Sequence, residues 1–189
     1  MKLKMELMSD AIFGNGMSVP GGEDVSILTD EYGFPYYKGS TFKGVFRDEC
    51  IRYLEWSGIP RQGINEKIEL LFGRSGDDRI DNNSKLVFSD FKLSGNVRSR
   101  IVGEIHNSEQ ITAILSNLRT FTAIEEGIVK EGSLRMARCV NRGLIFYCDL
   151  KCDKADEPFI EEVLGMIKWI GNMKNRGFGK VCISREEDM

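Results

Sequence analysis

The segment Ile170-Gly171-Asn172-Met173-Lys174-Asn175-Arg176-Gly177-Phe178-Gly179-Lys180-Val181 constrains the fold more than any other part of the chain. It follows a stretch with a helical apolar stripe and precedes a short apolar run, so it joins a helix to a strand. Gly177 and Gly179 let the backbone visit positive φ and come close to a ligand. Lys174, Arg176 and Lys180 surround those glycines with positive charge. A close-approaching backbone inside a cationic rim suits a phosphate. The helix-then-strand order is the reverse of a Rossmann or P-loop element, which argues against a nucleotide cofactor. An RNA backbone fits better.

The rest of the chain supplies the elements around this loop. Leu3, Met5 and Leu7 alternate with charged residues over 2–8, the pattern of a half-buried strand. Residues 9–38 contain many glycines with Pro20 and Pro35 and read as a long loop, a class that is usually functional or disordered. Phe42, Val45, Phe46, Cys50, Ile51 and Leu54 then recur at helical spacing, with Ser40 as the expected N-cap. A short helix near 65–72 carries Ile68, Leu71 and Phe72, and Asp81-Asn82-Asn83 predicts a turn. Residues 85–93 read as one strand, and 94–142 as a polar insertion with one short helix between Ser108 and Leu118. Leu144–Leu150 is a strand. A helix starts at Glu157-Pro158 and carries its stripe through Ile170, and 180–184 is the last strand.

The order is β-α-β-β-α-β, an α+β, ferredoxin-like arrangement also used by RRM modules. It has a long loop after strand 1 and a thumb-like insertion between strands 2 and 3. With 189 residues the chain is expected to form one domain, a palm of about 1–93 and 143–189 with a thumb of about 94–142.

Composition narrows the function classes. No stretch has the length of a membrane span, and the charged start does not resemble a signal peptide, so a cytoplasmic protein without membrane partners is expected. Five cysteines without a secretory signal favour reduced thiols. Cys148 and Cys152 share a face but lack further ligands nearby, so they read as core residues and no structural zinc is expected. The net charge of −3 counts against a free-standing, non-specific nucleic-acid binder. Yet segments 168–180 and 92–103 carry cations and no acid. Basic patches on an acidic whole fit a subunit of an assembly.

These residues resemble the RAMP superfamily of CRISPR-associated proteins. Arg176-Gly177-Phe178-Gly179-Lys180-Val181 is similar to its glycine-rich loop. Lys38-Gly39-Ser40-Thr41-Phe42-Lys43-Gly44-Val45-Phe46-Arg47 resembles the element that opens the first helix of Cas7-type backbone subunits, with lysine where proline is usual. Arg119-Thr120-Phe121-Thr122-Ala123-Ile124, followed by Lys130-Glu131-Gly132-Ser133-Leu134, resembles a stretch of Csm3-like proteins. All three motifs stand in the family's order.

The resemblance implies a subunit of a type III CRISPR effector. Its partners would be CRISPR RNA, complementary target RNA, copies of itself and other effector subunits. It also implies cutting of target RNA at six-nucleotide intervals by an aspartate in the loop after strand 1, with Mg²⁺ or another divalent cation. Asp24 precedes Asp30 by the six positions usual in the family, which makes Asp24 the catalytic and metal-binding candidate. The implied RNA contacts are Lys38, Gly39, Ser40, Lys43, Arg47, Arg119, Lys130, Lys174, Arg176, Gly177, Phe178, Gly179 and Lys180. Phe121 and Ile124 are wedge candidates in the thumb.

Each residue also has a plainer reading. Lys43 and Arg47 share one helical face and are either phosphate ligands or solvated charges. For the C-terminal loop the plainer reading is a helix C-cap glycine followed by a turn, which accounts for one of its glycines. Phe178 stacks on a base or fills the core, and Phe121 and Ile124 wedge between bases or pack at the thumb's root. Asp24 is catalytic or a loop acid among other acids, and His106 is a surface residue. Two alternatives to a cutting backbone subunit stay open: an inactive RNA-binding scaffold, and a Cas6-like guide-processing ribonuclease. No nucleophile–base pair supports a small-molecule enzyme.

Overall fold

The computed structural model describes residues 1–16, 23–73, 85–122, 124–125, 127–129 and 131–186. Gly21, Gly22, the turn expected at 81–83 and Lys130 lie outside the described residues. Strand β1, Lys2–Leu7, is the centre of the main sheet. It pairs antiparallel with β8, Ile145–Lys151, on one side and β9, Val181–Arg185, on the other. Beyond β8 lie β2, Val87–Phe88, and β3, Lys92–Leu93. The order β2/β3-β8-β1-β9 is that of a ferredoxin-like sheet.

Leu3, Met5 and Leu7 are buried and their neighbours are not, as the alternation requires. With Phe146, Cys148, Val181 and Ile183 they form the inner face of the sheet. Helix α1, Gly39–Trp56, covers that face with Phe42, Phe46 and Cys50. Helix α5, Glu157–Met166, adds Ile160, Val163 and Leu164. Helix α2, Arg61–Phe72, packs beside α1 through Ile64, Ile68 and Leu71. Phe42 sits 5.2 Å from Phe88 and 4.7 Å from Phe91, locking α1 to the sheet edge. Each such fully buried ring is worth about 1.5–3 kcal/mol.

Two expected elements differ. The strand over 85–93 is broken in two, because one extra residue separates the Phe88↔Leu150 and Lys92↔Tyr147 pairs. This is a bulge, and it points the Asp90 carboxylate at the Gly39 N–H, 2.9 Å away. The last helix ends at Met166 rather than Ile170. Ile167 and Ile170 are buried, but from extended chain that bonds across to 179–181 through Ile170 N to Gly179 O and Val181 N to Lys168 O.

The insertion is more regular than its sequence suggests. Ser94 caps α3, Gly95–Glu104, and Asn107 caps α4, Ser108–Leu115. Then β4, Ser116–Phe121, pairs with β7, Arg135–Val140, and the short strands β5, Ile124–Glu125, and β6, Ile128–Val129, pair at the tip. The loop after β1 is ordered in part by this hairpin. Ala11 bridges Val140, and Val25 bridges Ala137. Ile12, Ala137 and Cys139 make a second small core there, bordered by Val25, Phe121, Met173 and Phe178.

Candidate nucleic-acid interface

The glycine loop is built on four left-handed residues, Gly171, Met173, Gly177 and Gly179. Two of these glycines serve the protein's own backbone. A Cβ on Gly179 would lie 1.9 Å from the Ile170 carbonyl oxygen, and one on Gly171 2.5 Å from that of Ile12. The Gly179 N–H also donates to Asp10 O at 2.8 Å. Gly179 is thus closed to a ligand, contrary to the expectation of close approach there. Gly177 differs: no described atom lies within 4 Å of its Cβ position. Lys174, Arg176 and Lys180 are exposed around it, with Lys174 and Arg176 on a single 3-10 turn.

The loop meets the thumb's root. Phe178 packs edge-on to Phe121, ring centroids 5.6 Å apart, and the Arg176 guanidinium lies 5.6 Å from the Phe121 ring centre. Phe121 is therefore half-buried between palm and thumb. Ile124 pairs through its backbone with Val129 at the tip. Beside this contact opens a cleft of about 600 Å³, with Arg119, Arg142, Arg176 and Phe178 in its lining.

Asp10 organises that cleft, and the sequence reading missed it. Its carboxylate accepts from Arg119 at 2.8 Å, Asn117 at 3.2 Å and the Arg142 N–H at 3.1 Å. Desolvation pushes the Asp10 pKa up, but these hydrogen bonds outweigh it and hold the carboxyl below its ordinary value. The ion pair orients Arg119 along the cleft. A single acid just past a strand carries little signal by itself, because its partners lie more than a hundred positions away.

At the start of α1 the expectation needs correcting. Lys38, not Ser40, occupies the N-cap position, and its side chain makes no capping bond. Ser40 is exposed in the first turn. The Asp90 carboxylate fills the anion position at the helix end, and Gly39 is pressed against the Phe88 and Ser89 carbonyls. Gly39 is a packing glycine. Lys43 and Arg47 lie further along. Burial, and then the Arg47 charge, lower the Lys43 pKa. The Arg47 Nε is buried and has no hydrogen-bond partner among the described residues. Lys43 and Arg47 thus stand side by side as two cations on one face of α1.

Asp24 lies against the thumb strand β7. Its Oδ2 accepts from the Met136 N–H at 2.7 Å, and its Oδ1 faces Arg135 NH1 at 3.1 Å. Next to it, Glu23 accepts from Arg138 Nε at 2.6 Å. The Met136 hydrogen bond, then Arg135, hold the Asp24 carboxyl below its ordinary pKa. Asp30 does a different job. It accepts from the Tyr32 and Phe34 N–H groups and pairs with Arg98, closing a turn.

The family model of the RAMP superfamily matches residues 4–182. The chain belongs to the RAMP superfamily. Its fold is similar to that of chains in structures of the type III-B Cmr-beta. One, from the complex bound to cognate target RNA, has a TM-score of 0.68 at 13% identity and covers 97% of this chain and 95% of its own. Another, from the apo state, has a TM-score of 0.65 at 14% identity, with coverage of 96% and 95%. No curated protein matches the chain by sequence.

In this RAMP chain the Arg119 motif and the glycine loop converge: Arg119 and Phe121 stand beside Arg176 and Phe178 on one surface. The described residues do not fit a resident divalent ion. Both Asp24 oxygens are engaged, Glu23 is tied to Arg138, and no three metal-binding side chains come together among the described residues. No described helix is long and apolar enough to cross a membrane.

Proposed function

We propose that this RAMP chain is a backbone subunit of a cytoplasmic type III CRISPR effector, bound along CRISPR RNA with complementary target RNA paired against it. Copies of the chain and other effector subunits are its protein partners. One observation carries this reading: the glycine loop and the thumb hairpin bring Arg176, Phe178, Arg119 and Arg142 to one cleft. Cations with an aromatic edge bind the backbone and faces of RNA without reading sequence. Lys43 and Arg47 on α1 are two further cations for the RNA backbone in this reading. The chain of similar fold in the Cmr-beta complex bound to cognate target RNA supports the same reading.

We further propose that target RNA is cut beside Asp24. Its lowered pKa makes it a weak base near neutral pH. Its task is then to orient the attacking 2′-hydroxyl by accepting its hydrogen bond on a lone pair that Met136 and Arg135 leave free, with Arg135 facing the phosphate charge. The 2′-oxygen–phosphorus bond forms as the phosphorus–5′-oxygen bond breaks, and the 2′ proton passes through solvent to the departing 5′-oxygen. The test is target cleavage by the guide-loaded complex, wild type against Asp24→Ala. A six-nucleotide ladder lost in the variant, with RNA still bound, supports the assignment. A ladder that persists removes Asp24 from the reaction. No ladder from either protein, with both RNAs bound, leaves a scaffold. Failure of Arg176→Ala to weaken guide binding would overturn the RNA track itself.

A further inference from the structure

The chain has two tryptophans, and both line one groove. Trp56 ends α1 and is 73% exposed; Trp169, 38% exposed, lies in the extended segment that bridges Lys180 before the glycine loop. The groove holds about 690 Å³ and is also lined by Val45, Met166 and Ile167. That is the size range of sites for small planar ligands. Two exposed indoles in one groove are costly in water and serve nothing in the core.

The groove continues into the proposed RNA track. Lys174 and Asn175 line it and also line the next cleft, which runs along 171–176. Arg176 then lines both that cleft and the one at the thumb's root. Segment 168–180 holds four cations plus Trp169 and Phe178 and no acid. The acids of the groove come from α1. Glu49 is buried and paired with Arg52 at 2.8 Å. Asp48 is exposed. A carboxylate there repels phosphate but accepts from the exocyclic amine of a base. Two further cations line the groove, but Arg52 is held by Glu49 and the Lys168 ammonium donates to the Gly165 carbonyl, so the pattern favours phosphates at Lys174 and a base inside.

We propose that this groove binds an unpaired nucleobase of an RNA strand running along the glycine loop, stacked against Trp56 and Trp169. The proposal rests on the RNA-binding reading above and adds a base-holding site to it. Base–aromatic stacking tolerates any base, because each has a π-face.

Both tryptophans report on the groove directly. The full chain would be titrated with single-stranded oligoadenylate. Intrinsic fluorescence would report on the groove, and anisotropy of end-labelled RNA would report on binding independently. The proposal expects quenching that tracks binding, and about tenfold weaker binding for Trp56→Ala. Trp56 is exposed enough that its removal leaves the fold intact, and circular dichroism checks this. Trp169→Phe keeps a ring and should bind more tightly than Trp169→Ala. Binding by anisotropy with unchanged fluorescence and unchanged Trp56→Ala affinity overturns the groove and leaves the RNA-binding subunit standing. Fluorescence that changes with protein concentration alone assigns the groove to a second copy and overturns the proposal. Absence of binding in every protein overturns both.

Discussion

Phe121 of the thumb hairpin and Phe178 of the glycine loop meet edge to face, with planes at 72° and centroids 5.6 Å apart. Two parts of the chain with no local reason to meet are joined there, and Arg176 lies over the Phe121 ring. A double-mutant cycle on Phe121→Ala and Phe178→Ala should give a coupling of about 0.5–1.5 kcal/mol. Hydrogen exchange should show β4 and β7 opening more readily in either single variant. A coupling near zero would mean the thumb is held by its strand bridges alone.

Asp10 makes a second link of the same kind. Asp10→Asn loses the ion pair with Arg119 and should cost about 1–2 kcal/mol near neutral pH, because the Arg119 end is open to water while Asp10 itself is mostly covered. The folded pKa lies below the unfolded one. Its contribution is therefore complete above the ordinary aspartate range and is lost as pH falls through the folded value. Urea midpoints of wild type and Asp10→Asn should differ near neutrality and converge in acid. A gap that widens in acid would contradict this.

Legibility in the sequence follows periodicity. β1 and α1 were readable because each buries one regular face, Leu3-Met5-Leu7 in the first and Phe42-Phe46-Cys50 in the second. α3 was not, because it buries no residue and owes its start to the Ser94 cap. β4 hides for a similar reason: Leu118, Arg119 and Thr120 are all exposed, so no alternation marks the strand. Ile167 and Ile170 misled in the other direction, continuing a helical spacing while burying from extended chain. Of the site, the glycine loop and the thumb motif were visible as residue types. Their meeting at Asp10 was not, since it depends on contacts distant in sequence.

The two glycines flanking Phe178 should respond differently to alanine. Gly177→Ala pays only for the left-handed backbone, about 1–2 kcal/mol. Gly179→Ala pays that and also drives a Cβ into the Ile170 carbonyl, so it should be clearly the less stable. Thermal melts of the two variants side by side decide it. Equal losses would show that the loop relaxes freely around residue 179.

Gly44 separates folding from binding. It lies inside α1, and a Cβ there would meet no described atom within 4 Å. Gly44→Ala should therefore stabilise the free protein by about 0.5–1 kcal/mol through helix propensity. It stands on the helix that carries Lys43 and Arg47, where close approach of an RNA backbone is proposed. The variant should melt higher and bind guide RNA more weakly. Higher melting with unchanged affinity would place the RNA away from this part of α1, leaving the cleft at Arg119 and Arg176 as the main contact. A lower melting temperature would instead mean that the helix needs glycine for its own packing, as Gly39 does against the Phe88 and Ser89 carbonyls.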